Sequence, residues 1–205
     1  MNETSLLTEL IDALSCLPSV GRKTAQRMAY NLLDKKREKG LMLAASLEKA
    51  MRNIGNCSIC RNYTEQSVCQ LCENIKRDKN TLCVVHSPTD VLAIESTANF
   101  SGQYFVLLGQ LSPLDGIGPE EIGMPLLSKR LTQGEITEVI VATSSTVEGE
   151  ATAYYISQVA NQVEQNNSDL KISVTRLAQG VPVGGELEYL DQSTLALSLA
   201  NRSHF

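Results

Sequence analysis

The sequence contains no apolar run approaching the roughly 20 residues that a helix needs to cross a membrane. Its N-terminal segment, MNETSLLTELIDALS, also lacks the basic stretch followed by an apolar core that marks a signal peptide. These two absences predict a cytoplasmic protein without a membrane anchor. The 205 residues, 42% hydrophobic and 20% charged, have the composition of an ordinary globular chain of one or two domains.

Positive charge is scarce in the second part of the chain. Residues 81–205 carry 5 Lys+Arg against 14 Asp+Glu, whereas residues 1–80 carry 13 against 9. The asymmetry, within a net charge of −5, favours a nucleic-acid surface on the first part. The acidic second part is expected to face proteins or cations. Charge alone leaves open the alternative that both parts are merely solvated.

The first part is predicted to be helical. Three helices are indicated, with a tight LPSVG turn (17–21) after the first and an interruption over Asp34–Gly40 before the third. Apolar residues recur at helical spacing in each of them. These are Leu6, Leu7, Leu10, Ile11 and Leu14, then Ala25, Met28, Ala29, Leu32 and Leu33, then Leu43, Ala44, Leu47, Ala50, Met51 and Ile54.

From residue 81 onward, strand and helix patterns alternate. Strands are predicted over 81–86, 104–108, 138–143 and 171–177, with helices over 88–98, over 124–133, and from Glu148–Glu150 past Val163. Such alternation is typical of a mainly parallel sheet covered by helices. The sequence therefore predicts an α/β protein of four segments, which are 1–56, 57–80, 81–177 and 178–205.

The LPSVG turn and its two flanking helices predict a helix–hairpin–helix motif. Gly21 is expected to allow a tight turn, and the following helix begins with backbone N–H groups suited to a phosphate. Lys23 and Arg27 lie four residues apart on one helical face, and Arg22 is close by. Sequence-independent contacts to the DNA backbone follow from this arrangement. An ordinary αα-hairpin is the alternative.

Four cysteines occur as C-x2-C-x8-C-x2-C, at Cys57, Cys60, Cys69 and Cys72. Two such pairs supply four thiolates to one tetrahedral Zn²⁺, and four protein ligands make the site structural. A redox pair would not explain the second C-x2-C. The metal would replace the core that residues 57–80 are too short to form. Cys16, on a predicted helix, and Cys83, in a predicted strand, are both expected in the core.

Polar side chains follow two of the predicted parallel strands. His86 and Asp90 follow the first, and Glu148 and Glu150 follow the third. Strand ends of this kind bind ligands, and carboxylates there would hold Mg²⁺. The pattern resembles a Toprim domain, in which a glutamate follows the first strand and a D-x-D pair the third. Here His86, a poor Mg²⁺ ligand, replaces that glutamate, so we predict a Toprim fold without catalysis.

Two other roles for Glu148 and Glu150 remain open from the sequence. They form an acidic cluster that the dipole of the following helix favours, or a docking face for a basic partner protein. At the C-terminus, Leu195, Leu197 and Leu199 fit either a subunit contact or a core.

The order of these segments resembles the RecR family along nearly the whole chain. Its departures are His86 in place of glutamate and Ser144-Ser145 where the family commonly has Asn-Pro. The stretches that carry the resemblance are the four cysteines, LPSVGRKTAQRMA (17–29), VVHSPTDVLAIE (84–95), YFVLLGQLSPLDGIGPEEIG (104–123), TVEGEATA (146–153) and GVPVGGELEYLD (180–191).

The resemblance implies a DNA-repair mediator without enzymatic turnover. RecR-like proteins form rings, usually tetramers, through their N- and C-terminal regions. They bind single- and double-stranded DNA and work with RecO, and in some lineages RecF, to load RecA on single-stranded DNA. By residue match, Lys23 and Arg27 would face DNA, and Glu148 and Glu150 would face partners. The alternatives are a metal-dependent nuclease, primase or topoisomerase-like enzyme, and a purely protein-binding zinc module.

Overall fold

The chain forms two compact units, which divide between Ile54 and Gly55. The computed structural model describes residues 5–178 and 180–202. Across these residues, no helix is both long enough and apolar enough to span a membrane.

The first unit contains three helices, α1 (Leu6–Leu14), α2 (Arg22–Lys35) and α3 (Arg37–Asn53). Its core lies between α1 and α2, where Ile11 packs with Ala25 and Ala29. The two alanines, one turn apart, leave room for α1 to approach closely. The three predicted helices are therefore present, and the hairpin between the first two is closed by a small apolar core.

Two details of the predicted N-terminal helices are wrong. The interruption expected over Asp34–Gly40 is confined to Lys36, because Lys, Arg and Glu are themselves good helix formers. The tight turn does not need the freedom of Gly21, whose φ of −73° is open to any residue. Instead Ser19 adopts the left-handed conformation, with a φ of 64°.

The second unit is built on a four-stranded parallel sheet of β3 (Thr81–Val85), β4 (Gln103–Val106), β5 (Glu138–Ala142) and β6 (Ser173–Arg176). The order across the sheet is β4-β3-β5-β6. The predicted parallel α/β architecture is confirmed. The helices that follow the first three strands are α5 (Pro88–Ser96), α6 (Met124–Leu131) and α7 (Val147–Asn166).

Side chains that alternate along the strands form a core on each face of the sheet. On one face, Leu82 and Val84 pack with buried residues of α6 and α7, such as Leu127 and Ile156. On the other face, Cys83 and Val85 pack with Val91 of α5. Helices on both faces leave the carboxyl ends of the strands as the open edge, where the loops with polar residues begin.

The shortest elements escape prediction from the sequence. They are β1 (Gly55–Asn56) paired antiparallel with β2 (Tyr63–Thr64), α4 (Gln70–Glu73), and the 3-10 turns Pro113–Asp115 and Leu187–Tyr189. The C-terminal leucines belong to α8 (Gln192–Ala200), whose first turn is capped by Asp191 accepting from the Thr194 N–H at 2.9 Å. In the helix Leu197 and Leu199 are exposed.

An ion pair fixes the loop between α5 and β4. The Arg77 guanidinium donates to both Glu95 oxygens, at 2.7 and 3.0 Å, and to the Gly102 carbonyl at 2.6 Å. Tyr104 donates its hydroxyl to the same Glu95 carboxylate at 2.7 Å. The hydrogen bonds from Arg77 lower the pKa of Glu95, while burial raises the pKa of Tyr104. The Arg77 side chain is 8% exposed and that of Glu95 is 29% exposed, so the pair is partly buried.

Glu95→Gln is expected to lower the free energy of unfolding at pH 7 by about 1–3 kcal/mol, because Arg77 loses its charged partner. The lowered pKa of Glu95 gives stability that is present above about pH 4.3 and is lost as the pH falls through the folded-state value. The difference between variant and wild type should therefore shrink below about pH 4. Urea denaturation at several pH values measures it. An equal loss in the exposed control Glu135→Gln would contradict the assignment.

Candidate functional site

The four cysteines come together in one cluster. Their sulfur atoms all lie within 4.8 Å of one another, and Cys57, Cys60 and Cys69 are buried. Cys57 directly follows β1, Cys69 caps the start of α4 and Cys72 lies inside α4. The loop is held by its own backbone, since the Arg61 N–H donates to the Cys57 carbonyl at 2.9 Å.

The electrostatics of the cluster favour a bound dication. Hydrogen bonding from Cys72 lowers the pKa of Cys60 to about 6, so one thiolate forms readily. Burial and the charge on Cys60 raise the pKa of Cys69 to about 11. The hydrogen bond that Cys72 donates to Cys60, together with the charge on Cys60, raises the pKa of Cys72. Four thiolates therefore require a positive ion among them, and Zn²⁺ takes four sulfur ligands in tetrahedral geometry. The donor set fits zinc and leaves no position for a substrate.

The cysteine loop is attached to the edge of the sheet. The Val106 N–H on the outer side of β4 donates to the Cys60 carbonyl at 2.8 Å. Leu71 of α4 contacts both the cysteine cluster and the core beneath the sheet. The zinc loop therefore covers an edge strand whose backbone would otherwise be unpaired.

Arg61, the residue after Cys60, connects the loop to the sheet a second time. It has a left-handed φ of 65° and donates to the Leu107 carbonyl at 3.0 Å and to the Ile122 carbonyl. Its guanidinium lies 5.7 Å from the centre of the Phe105 ring. The guanidinium also fills the space that a Cβ on Gly123 would need. No sequence pattern singles out Arg61, because its role depends on carbonyl groups 46 and 61 residues away along the chain.

The remaining two cysteines differ from each other. Cys83 is buried in β3, as predicted, and burial raises its pKa to about 12. The prediction that Cys16 lies in the core is wrong, because it is exposed in the turn after α1. The helix ends at Leu14, before Cys16, so the side chain does not share the buried face of α1.

The hairpin residues lie at the start of α2. Gly21 occupies the N-cap position of α2, and no side chain at that position accepts a hydrogen bond from the first N–H groups of the helix. Lys23 and Arg27 are both exposed, one turn apart. Arg22 is paired with Asp12 at 3.2 Å, with both side chains largely exposed. A Cβ on Gly21 would meet no atom within 4 Å. The glycine is therefore not required by packing, and it leaves the helix start open to a ligand.

The acidic residues lie at the carboxyl edge of the sheet, but two of them are engaged locally. Asp90 accepts from the Ser87 N–H at 2.8 Å and caps α5. Glu150, in the first turn of α7, pairs with Arg176 at the end of β6, at 2.6 and 3.1 Å. Across residues 5–178 and 180–202, the cysteine cluster is the one group of three or more His, Cys, Asp or Glu side chains placed to share a metal ion. Within those ranges His86, Asp90, Glu148 and Glu150 do not form a second.

Gly149 is the tightly packed residue of the TVEGEATA segment (146–153). It is buried in the first turn of α7, where Thr146 caps the helix by accepting from the Gly149 N–H at 3.1 Å. A Cβ at this position would overlap the carbonyl oxygen of Ser144. The glycine thus lets the loop after β5 pass directly against α7. This contact fixes the position of the first helical turn, which carries Glu148 and Glu150.

Four family models match the chain in succession. The RecR helix-hairpin-helix model covers residues 7–51, and the RecR zinc finger model, which describes a domain with four cysteines, covers 54–74. The Toprim domain model covers 80–178 and the RecR C-terminal model covers 180–203. The zinc finger match and the cysteine cluster together confirm the structural zinc predicted from the cysteine spacing.

Cys60→Ser is expected to reduce bound zinc below the one ion per chain that four thiolates can hold, and to lower the melting temperature. Loss of a thiolate ligand should also free the loop from β4. Metal analysis of the purified protein and thermal unfolding, with and without a chelator, measure both effects. The exposed Cys16→Ser serves as the control and should keep zinc and stability. Full zinc content in Cys60→Ser would contradict the assignment.

Gly149→Ala is expected to destabilise the protein by about 1–3 kcal/mol, because the added methyl group overlaps the Ser144 backbone. Gly55→Ala is the matched control, since a Cβ there meets nothing within 4 Å. Chemical denaturation of the two variants measures the contrast. Equal stabilities would show that the loop after β5 moves aside at little cost.

Proposed function

The chain belongs to the RecR family, and we propose that it acts as a DNA-binding recombination mediator without catalytic turnover. The family's domains support a role in recombinational DNA repair. We further propose that the protein works with RecO, and in some lineages RecF, to help load RecA on single-stranded DNA. It would do so in the cytoplasm, at the nucleoid.

DNA contact is assigned to the start of α2. One observation carries this assignment: the helix start beside Gly21 is open, and Lys23 and Arg27 are exposed one turn apart on the following face. Backbone N–H groups at a helix start and nearby cations bind phosphate oxygens irrespective of base sequence. Arg22, held by Asp12, adds a third positive group. Both single- and double-stranded DNA present the phosphates that such a site needs.

The absence of turnover is supported by the carboxyl edge of the sheet. A Toprim enzyme would need several carboxylates converging on Mg²⁺. Here β3 is followed by His86, Asp90 caps α5, and Glu150 is paired with Arg176. A metal-dependent nuclease or topoisomerase-like activity, the alternative, gains no support from this arrangement.

The same edge is proposed as the docking face for partner proteins. Glu148 and Glu150 lie in the first turn of α7, and His86 and Asp90 follow the neighbouring parallel strand β3. Because β3 and β5 pair in parallel, the segments that carry these residues leave the sheet at the same edge. An acidic face of this kind suits a basic partner protein, which we propose to be RecO.

We further propose that the four segments have separate tasks. Residues 1–56 contact DNA, 57–80 hold zinc, 81–177 dock partners and 178–205 join subunits into a ring, which we expect to be a tetramer. The last segment exposes Val183, Leu187 and Tyr189, apolar side chains that a neighbouring subunit could cover. Residues 179 and 203–205 lie outside the described part of the chain.

The double variant Lys23→Ala/Arg27→Ala is expected to weaken DNA binding for every base sequence. Each phosphate contact that the variant removes should flatten the slope of log affinity against log salt by about 0.7 on single strands and about 0.9 on duplex. Fluorescence anisotropy at several salt concentrations, with and without RecO, measures both quantities.

Lys49→Ala/Arg52→Ala provides the matched control, because it also removes two cations from exposed positions of the first unit. If wild type binds DNA and the two double variants show the same reduction in affinity, the start of α2 is not the DNA site. If wild type binds no DNA under any condition, the mediator proposal itself fails.

A further inference from the structure

A groove of about 190 Å³ lies between the zinc loop and α6. Its positive lining consists of Arg61 from the zinc loop and of Lys129 and Arg130 from α6. Ser58 and Gln133 add neutral hydrogen-bonding groups, and both are exposed. The groove is thus a surface depression of the second unit, in which these cations lie beside the apolar side chains of Ile59, Phe105 and Leu126. It shares no lining residue with the acidic edge of the sheet.

This concentration of positive charge contrasts with the composition around it. Residues 81–205 contain only 5 Lys+Arg against 14 Asp+Glu, yet two of those five stand next to each other here. In the described ranges 5–178 and 180–202, carboxylates lie within 4.0 Å of four basic side chains. These are Arg22, Arg52, Arg77 and Arg176. No carboxylate in those ranges therefore lies within 4.0 Å of Arg61, Lys129 or Arg130, and like charges on one groove disfavour one another.

Two of the three cations are held in place. The contacts of Arg61 with the Leu107 and Ile122 carbonyls fix its guanidinium against the Phe105 ring. Arg130 donates to the side-chain oxygen of Gln103 in β4. Fixed guanidinium groups bind phosphate oxygens with little loss of side-chain entropy, and the flexible Lys129 adds a mobile charge at the rim.

We propose that this groove binds a backbone phosphate of DNA and is a second DNA contact, located on the second unit of the chain. The inference rests on the proposed function and extends it. Exposed Lys129, Ser58 and Gln133 make the groove accessible from the surface, and DNA supplies one negative charge per phosphate. The second contact explains why a chain of net charge −5 keeps a cluster of cations beside its zinc loop.

The test uses Lys129→Glu in the full-length, zinc-loaded protein. Lys129 is exposed and takes no part in the Arg61 contacts, so the variant should fold and retain zinc. Lys171→Glu, exposed on the second unit, is the charge-matched control. Lys129→Glu should weaken binding of single-stranded DNA and flatten the salt slope by about 0.7 or more, whereas the control should keep the wild-type slope.

A second readout locates the contact without a variant. Bound oligonucleotide should slow acylation of the Lys129 amine in wild-type protein, as measured by mass spectrometry, and leave Lys171 reactive. Inorganic phosphate and mononucleotides serve as small-ligand probes. Equal protection of Lys129 by these small ligands and by oligonucleotide would overturn the DNA assignment in favour of a small phosphate compound.

The outcomes separate this inference from the proposed function. If Lys23→Ala/Arg27→Ala loses affinity while Lys129→Glu binds like Lys171→Glu and Lys129 stays reactive, the groove is not a DNA contact and the mediator proposal stands. If wild type shows no salt-dependent DNA binding at all, both proposals fail together.

Discussion

The cluster of four thiols is the constraint on which the second unit depends most. Residues 55–73 bury little besides the cysteines, with Ile59, Val68 and Leu71 only partly buried around them. Their shape depends on four sulfur atoms within 4.8 Å of one another. That shape places the Cys60 carbonyl against Val106 and directs Arg61 to two carbonyls in the loops after β4. The metal therefore also fixes the edge strand and the wall of the adjacent groove. A structural zinc in this position acts on the sheet as well as on its own loop.

The sheet has a Toprim fold, which is associated with metal chemistry, but two acidic side chains at its carboxyl edge make local contacts instead. Asp90 stabilises the start of α5, and Glu150 joins α7 to β6 through Arg176. These local pairs reduce the negative charge available for Mg²⁺. They also leave a defined, mainly acidic surface at one edge of the sheet. The same fold can thus support docking in place of catalysis, because parallel strands deliver side chains to one edge whatever those side chains then do.

Two of the cationic regions of this acidic chain are proposed to contact DNA. One is the open start of α2 with Lys23 and Arg27, and the other is the groove with Arg61, Lys129 and Arg130. Acidic surfaces elsewhere would limit non-specific contact with DNA and confine a strand to these regions. If both proposed regions contact one strand, affinity should respond steeply to salt.

The sequence by itself determined the segment order, the parallel α/β fold and the zinc ligands. Helical and strand periodicities and the two C-x2-C pairs are local patterns, which can be recognised from the sequence without knowing which distant residues are in contact. Residues whose role comes from remote partners were not predictable. Arg61 gains its position from Leu107 and Ile122, and Gly149 is required because Ser144 passes against it. The left-handed residue of the hairpin is Ser19, while Gly21 is extended, a choice that depends on how α1 and α2 pack. Only the tertiary structure decides such cases, because their free energies come from groups that the chain brings together when it folds.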